Sequence, residues 1–346
     1  MSERKSRLEA RGLVVESERL RAAWMQYEGE VLDSYLTSDV EDPRVNAQSI
    51  ISRSFLIDSV FRNEFTTLIR EELQFGVCLT FILKALKDQH LSRGSLLESL
   101  QNGTETCGQV RIPGYLRGAF EITNEHEQGL SDYISQALMD SASDESVWLP
   151  ESALSIFERI WQRVLNQREA SKISVLEPAC GSANDYRYLH SFGISRFLEY
   201  TGFDICEKNI SNARRRFPDV NFETGNILDM PFEDNSFDFL FVHDLFEHLG
   251  PEAIDAALAE VCRVTRKQAC LSFFNMADIR EHVIKPVGLY HWNTLSLGLI
   301  EKSLMKKARD VDSVHIDTLL RSNYGCDDYY NKNAYTLVIS FCADTE

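Results

Sequence analysis

The sequence predicts an α/β fold, a mostly parallel sheet with helices on both faces, preceded by an all-helical N-terminal domain. Three observations predict it. Apolar residues in positions 1–100 recur at three- and four-residue spacing, the period of a helix. From residue 173 short apolar runs alternate with amphipathic stretches, the pattern of parallel strands joined by helices. Between the halves, "QNGTETCGQVRIPGYLRG" and "DSASDESVW" are rich in turn residues and separate the two patterns. The boundary is placed at 145/146, giving a helical domain over 1–145 and an α/β domain over 146–346.

In the first half, Leu20, Trp24, Tyr27, Val31, Leu32 and Tyr35 mark one helical face. Pro43 separates it from a second, carried by Ile50, Ile51, Phe55, Val60 and Phe61. A third runs through Phe65, Leu68, Ile69 and Leu73 toward Leu86. An amphipathic helix over Ser152–Gln167 opens the second half, with Phe157, Ile160, Trp161 and Leu165 on its apolar side. Strands are predicted at 173–177, 197–203, 220–224, 237–242, 268–274 and 335–342. Helices are predicted at 207–217, which Pro218 closes, and at 251–264, where Pro251 stands near the start.

The 346 residues carry a net charge of −17, from 53 acidic against 36 basic side chains. Gripping a phosphate backbone takes concentrated Lys and Arg, so nucleic acid and anionic membranes are disfavoured as partners. The basic clusters at Arg214–Arg216 and Lys302–Arg309 read as solvated helix faces. No apolar run approaches the 18 or so residues that span a bilayer, and the charged opening "MSERKSRLEARG" shows no secretory signal. Eight scattered cysteines without a CxxC pair read as buried free thiols in a reducing compartment, with neither a disulfide framework nor a metal site. The expected location is cytoplasmic.

In a sheet of this kind ligands bind beyond the carboxyl ends of the strands, near the point where strand order reverses. Four strand ends supply candidates. The first carries "EPACGSAN" (177–184), and the second ends in "TGFDIC", with Asp204. The third leads into "TGNILDMPFEDNSFD", with Asn226, Ile227 and Pro231. The fourth ends in "FLFVHDLFEHL", with His243, Asp244, Glu247 and His248. A dinucleotide oxidoreductase would need GxGxxG opening the helix, and the first loop holds only Gly181.

These four segments in register resemble class I S-adenosylmethionine-dependent methyltransferases, in particular the small-molecule, type 11-like domain with its acid-x-Gly-Cys-Gly-x-Gly loop. The resemblance covers about residues 150–275 and implies a Rossmann-like fold with S-adenosylmethionine as cofactor. It implies further that the backbone at Ala179, Gly181 and Ala183 approaches the cofactor and that Glu177 faces its ammonium group. Asp204 would take the ribose hydroxyls, Asn226 would pair with adenine, and Ile205 and Ile227 would sandwich the ring. Two departures stand out: Ala179 and Ala183 replace glycine, and Asn226 replaces aspartate.

His243 and His248 lie where relatives line the transfer site, and an imidazole suits base work. A role for His248 in tying its loop is an equal alternative. His243 is also placed to touch the cofactor. The stretch "GLYHWNTLSLGLI" (288–300) makes Tyr290, His291 and Trp292 candidates to contact the acceptor. The implied activity is methyl transfer to oxygen or nitrogen of a small molecule. A cofactor-binding protein without turnover and a protein methyltransferase are the alternatives. The N-terminal helices would cover the cleft or pair two subunits.

Overall fold

The computed structural model describes residues 8–26, 42–89, 91–121, 129–139, 151–169 and 171–341. The apolar pattern at Tyr27, Val31, Leu32 and Tyr35, the connector at 140–150 and Cys342 lie outside them.

Among the described residues the first part of the chain carries α1 (Val14–Gln26), α2 (Ala47–Phe61), α3 (Thr66–Gln89), α4 (Arg93–Gln101), α5 (Gly114–Glu121) and α6 (Leu130–Met139). Their ends follow local chemistry. Asn46 caps α2 by accepting from the N–H groups of Gln48 and Ser49, and Ser92 caps α4 by accepting from Ser95. The turn-rich stretch after α4 contains a two-residue hairpin pairing Thr106–Cys107 with Val110–Arg111. The predicted helix over 152–167 is interrupted, forming α7 (Glu151–Leu154) and α8 (Ile156–Leu165). Ser155 sits at the break and donates its hydroxyl to the Ser152 carbonyl, a local bond that competes with helix continuation.

The sheet has seven strands: β1 (Ile173–Pro178), β2 (Leu198–Asp204), β3 (Asn221–Thr224), β4 (Phe237–His243), β5 (Thr265–Phe273), β6 (Asp310–His315) and β7 (Tyr335–Ser340). Their order is β3-β2-β1-β4-β5-β7-β6. The first five run parallel, while β7 is antiparallel to β5 and to the edge strand β6. Sequence reading missed β6, because "DVDSVH" lacks an apolar run. Asp310 and Asp312 sit on the outward edge, where charge discourages pairing with another sheet.

Helices α9 (Asn184–Ser191), α10 (Glu207–Arg216) and α11 (Pro251–Val264) connect the parallel strands, and α12 (Leu297–Leu304) and α13 (Ile316–Tyr324) follow. Side chains of β4 alternate between faces. Phe239 and Phe241 join the cluster that holds α2, α3 and α8, whereas Leu240 and Val242 join the one that holds α11 and Leu20 of α1. The helical region and the sheet therefore share cores on both faces. Arg53 of α2, fully buried, pairs with Glu72 of α3, whose other carboxyl oxygen accepts from Trp161 Nε1 at 2.9 Å. Among the described residues no helix is long and apolar enough to cross a membrane.

Candidate active site

Strand order reverses between β1 and β4, and a cleft opens beyond their carboxyl ends. The loop after β1 bounds it first. Ala179, Gly181 and Ala183 all have left-handed backbone, with φ of 60°, 54° and 68°, and this zigzag brings the chain from strand to helix in five residues. A Cβ on Gly181 would meet nothing within 4 Å, so the loop faces open space there.

Asp204, at the tip of β2, fastens that loop. Its Oδ2 accepts from Gly181 N at 3.0 Å and its Oδ1 from Cys206 N at 2.7 Å. The Asn209 side chain makes a third hydrogen bond to the carboxylate. Burial pushes the Asp204 pKa up, and the hydrogen bonds from Cys206 N, Gly181 N and the Asn209 side chain only partly oppose it. Beyond β3, Asn226 Oδ1 accepts from Leu228 N at 2.9 Å, while Nδ2 donates to Ser17 Oγ of α1 at 2.6 Å. Ile205, Ile227, Phe203 and Leu20 form the apolar walls.

At the tip of β4, His243 lines the cleft beside Asp244, whose φ of 51° is also left-handed. His243 Nδ1 lies 2.9 Å from Asp185 Oδ2, and its Nε2 is buried without a hydrogen-bond partner. Burial lowers the imidazole pKa, but Asp185 outweighs it and the net shift is upward. Asp185 is correspondingly held below the usual carboxylate value: burial opposes this, and His243 overcomes it. Behind this pair Glu177 is 2% exposed and accepts a hydrogen bond from the Tyr200 hydroxyl. Burial, reinforced by Asp185, raises Glu177 well above the usual range.

Residues 176–273, from β1 to the end of β5, match the sequence profile described as a methyltransferase domain. Those residues are a methyltransferase domain. The phthiotriol/phenolphthiotriol dimycocerosates methyltransferase of Mycobacterium tuberculosis is 32% identical over 126 residues, covering 35% of this chain and 43% of its own. The chain thus matches less than half the length of that relative. Solved structures that overlap it include an S-adenosylmethionine-dependent methyltransferase from Mesorhizobium loti, at 14% identity, 53% of this chain, 96% of the other and a TM-score of 0.38. Phosphoethanolamine N-methyltransferase 2 of Haemonchus contortus overlaps at 13% identity, 53% and 52% coverage and a TM-score of 0.36.

Within the methyltransferase domain, Ala179, Gly181, Asp204, Ile205, Asn226, Ile227 and His243 converge on one cleft. Glu177 stands behind it. His248 does not line the cleft; its Nδ1 donates to the His291 carbonyl at 2.9 Å. Its ring packs with Tyr290 at 5.6 Å and Trp292 at 5.5 Å, and Phe274 lies 4.9 Å from Trp292. Tyr290, His291 and Trp292 therefore assemble with His248 as a separate, half-exposed aromatic cluster. Sequence reading missed Asp185, Asn209, Leu245 and Leu20 as cleft or near-cleft residues. Asp185 meets His243 across 58 positions of sequence, a pairing that no local motif announces. Among the described residues no group of His, Cys, Asp or Glu is arranged to hold a metal ion.

Proposed function

We propose that the chain is an S-adenosylmethionine-dependent methyltransferase acting on oxygen or nitrogen of a small-molecule acceptor. The observation that carries this reading is the convergence of the tips of β1, β2 and β4 and the loop after β3 on one cleft inside the methyltransferase domain. The residues fit the cofactor. Asp204 offers its remaining acceptor capacity and its charge to a ribose diol, the Asn226 amide offers both donor and acceptor for adenine, and Ile205 and Ile227 offer flat apolar contact.

When bound, S-adenosylmethionine supplies a methyl group on a positively charged sulfur, already electrophilic. The chain's own residues then have three tasks: to hold both partners in line, to exclude water, and to receive any proton the acceptor loses. The loop at 179–183 and Asp204 position the nucleoside. Leu20 of α1 closes the apolar side against water. His243 is the candidate base on the cleft wall, and His248 with Tyr290, His291 and Trp292 forms the candidate acceptor surface. Residues 1–145 serve as a cover built onto the catalytic domain at 146–346.

Calorimetry with S-adenosylmethionine tests the reading. We expect binding that Asp204→Ala weakens tenfold or more, about 1.4 kcal/mol. Absence of binding to the wild-type chain overturns it, and binding without methylation of any small molecule favours a cofactor-binding protein instead.

A further inference from the structure

Resting on the methyltransferase reading, we infer that Asp185 and His243 form a carboxylate–imidazole pair in which Asp185 is the positioning residue and His243 Nε2 the proton acceptor for a hydroxyl substrate. The geometry carries this. A carboxylate oxygen accepts only, so the 2.9 Å contact places a proton on His243 Nδ1 and leaves the neutral ring with its lone pair on Nε2. That nitrogen is buried and unpartnered, on a residue that lines the cofactor cleft. Leaving a buried polar atom without a partner is unfavourable, a cost that a bound hydroxyl would remove. His248, the other candidate, lies outside the cleft in its aromatic cluster.

The charged and titratable groups facing this ring come from three elements. Asp185 belongs to α9, Asp244 follows β4, and Glu177 of β1 reaches the pair through Asp185. Burial pushes Glu177 well above the usual carboxylate range, and it shares a hydrogen bond with Asp185. Both Asp185 and Asp244 favour the imidazolium, the form produced on taking a proton. In the transfer itself, the acceptor oxygen forms the new C–O bond and its proton passes to Nε2. The electron pair of the broken C–S bond stays on sulfur, and the imidazolium later releases the proton to solvent. A free amine would need no such base, which is why the pair points to a hydroxyl.

The test is nuclear magnetic resonance of the full chain with 15N-labelled histidine rings, the His243 signals being assigned by their loss in His243→Gln. The neutral ring should carry its proton on Nδ1, and its pKa should lie above 6.5 and fall by one unit or more in Asp185→Asn. With S-adenosylmethionine bound, that pKa should lie at least half a unit below its value with S-adenosylhomocysteine, because only the former places a positive charge near Nε2. A proton on Nε2 in the neutral wild-type ring overturns the inference without any variant. So does an unchanged pKa in a folded Asp185→Asn, or equal values in the two complexes. If neither nucleoside binds, the methyltransferase reading falls and this inference falls with it; binding with equal pKa values removes this inference alone.

Discussion

Ala179 and Ala183 replace glycine in a loop that nevertheless keeps the glycine conformation, with φ of 60° and 68°. A left-handed backbone costs an L-residue about 1 kcal/mol or more. The two sites differ in what the methyl gains in return. Ala183 is completely buried, and its methyl contributes about 0.8 kcal/mol of burial, whereas Ala179 is only half-buried. Ala179→Gly is therefore expected to stabilise the chain by about 1 kcal/mol in urea unfolding, and Ala183→Gly to change it by less than about 0.5 kcal/mol. Equal gains at both sites would mean that backbone strain alone governs this loop. The departure from glycine was readable in the sequence; that the backbone had not relaxed around it was not.

Helix α1 is held to the domain by a small set of polar contacts around its apolar Leu20 and the preceding Leu13. Glu16 Oε1 accepts from Gly250 N at 2.7 Å, capping α11 from outside, and its carboxyl pairs with Arg19, which reaches the Leu289 carbonyl. A Cβ at position 250 would stand 2.7 Å from Glu16 Oε1, so a larger residue than Gly250 would push that carboxyl aside. Burial raises the Glu16 pKa, but Arg19 and the Gly250 N–H outweigh it and the net shift is downward. Its contribution is thus present above the ordinary carboxylate pKa and is lost as pH falls through the lowered one. Glu16→Gln should weaken the attachment by about 1 kcal/mol. Hydrogen exchange of α1 amides should then quicken about fivefold, with β1 and β4 amides unchanged. Unchanged α1 exchange would show that the apolar contacts suffice. The helical period around Leu20 was legible, but its landing place over the cleft depends on Ser17 meeting Asn226, 209 positions away.

At the level of the whole molecule, two carboxyl groups among the described residues, Asp58 and Glu247, hold a buried oxygen without a hydrogen-bond partner, and Glu247 is the more deeply buried. It is fully buried, Asn275 N donates to its Oε1 at 3.1 Å, and its Oε2 has no partner. Burial, with Asp244 adding to it, pushes its pKa up to about 8. The folded chain therefore holds a proton that the unfolded chain releases above about pH 4.3. Stability is complete below that value and declines as pH rises toward 8. Glu247→Gln keeps the shape and the acceptor for Asn275 while removing the titration. Thermal unfolding of the wild type should fall by a few °C between pH 5 and pH 8 relative to the variant. Parallel curves for the two proteins would place the titrating group elsewhere.

The sequence by itself determined the strands β1 to β5 and β7 and the addresses of the ligand loops, but neither the edge strand β6 nor the break at Ser155. Apolar periodicity is a local property, and the strand tips bearing Gly181, Asp204, Asn226 and His243 each follow directly from it. Tertiary structure decided which side chains meet. It set Asp185 against His243, drew α1 across the cleft, and gathered His248 with Tyr290 and Trp292 outside the lining of the cleft. Those pairings arise from strand order and from shared cores on the two faces of the sheet, which bring residues 43 to 209 positions apart within hydrogen-bond reach. Distance along the chain carries no record of that proximity.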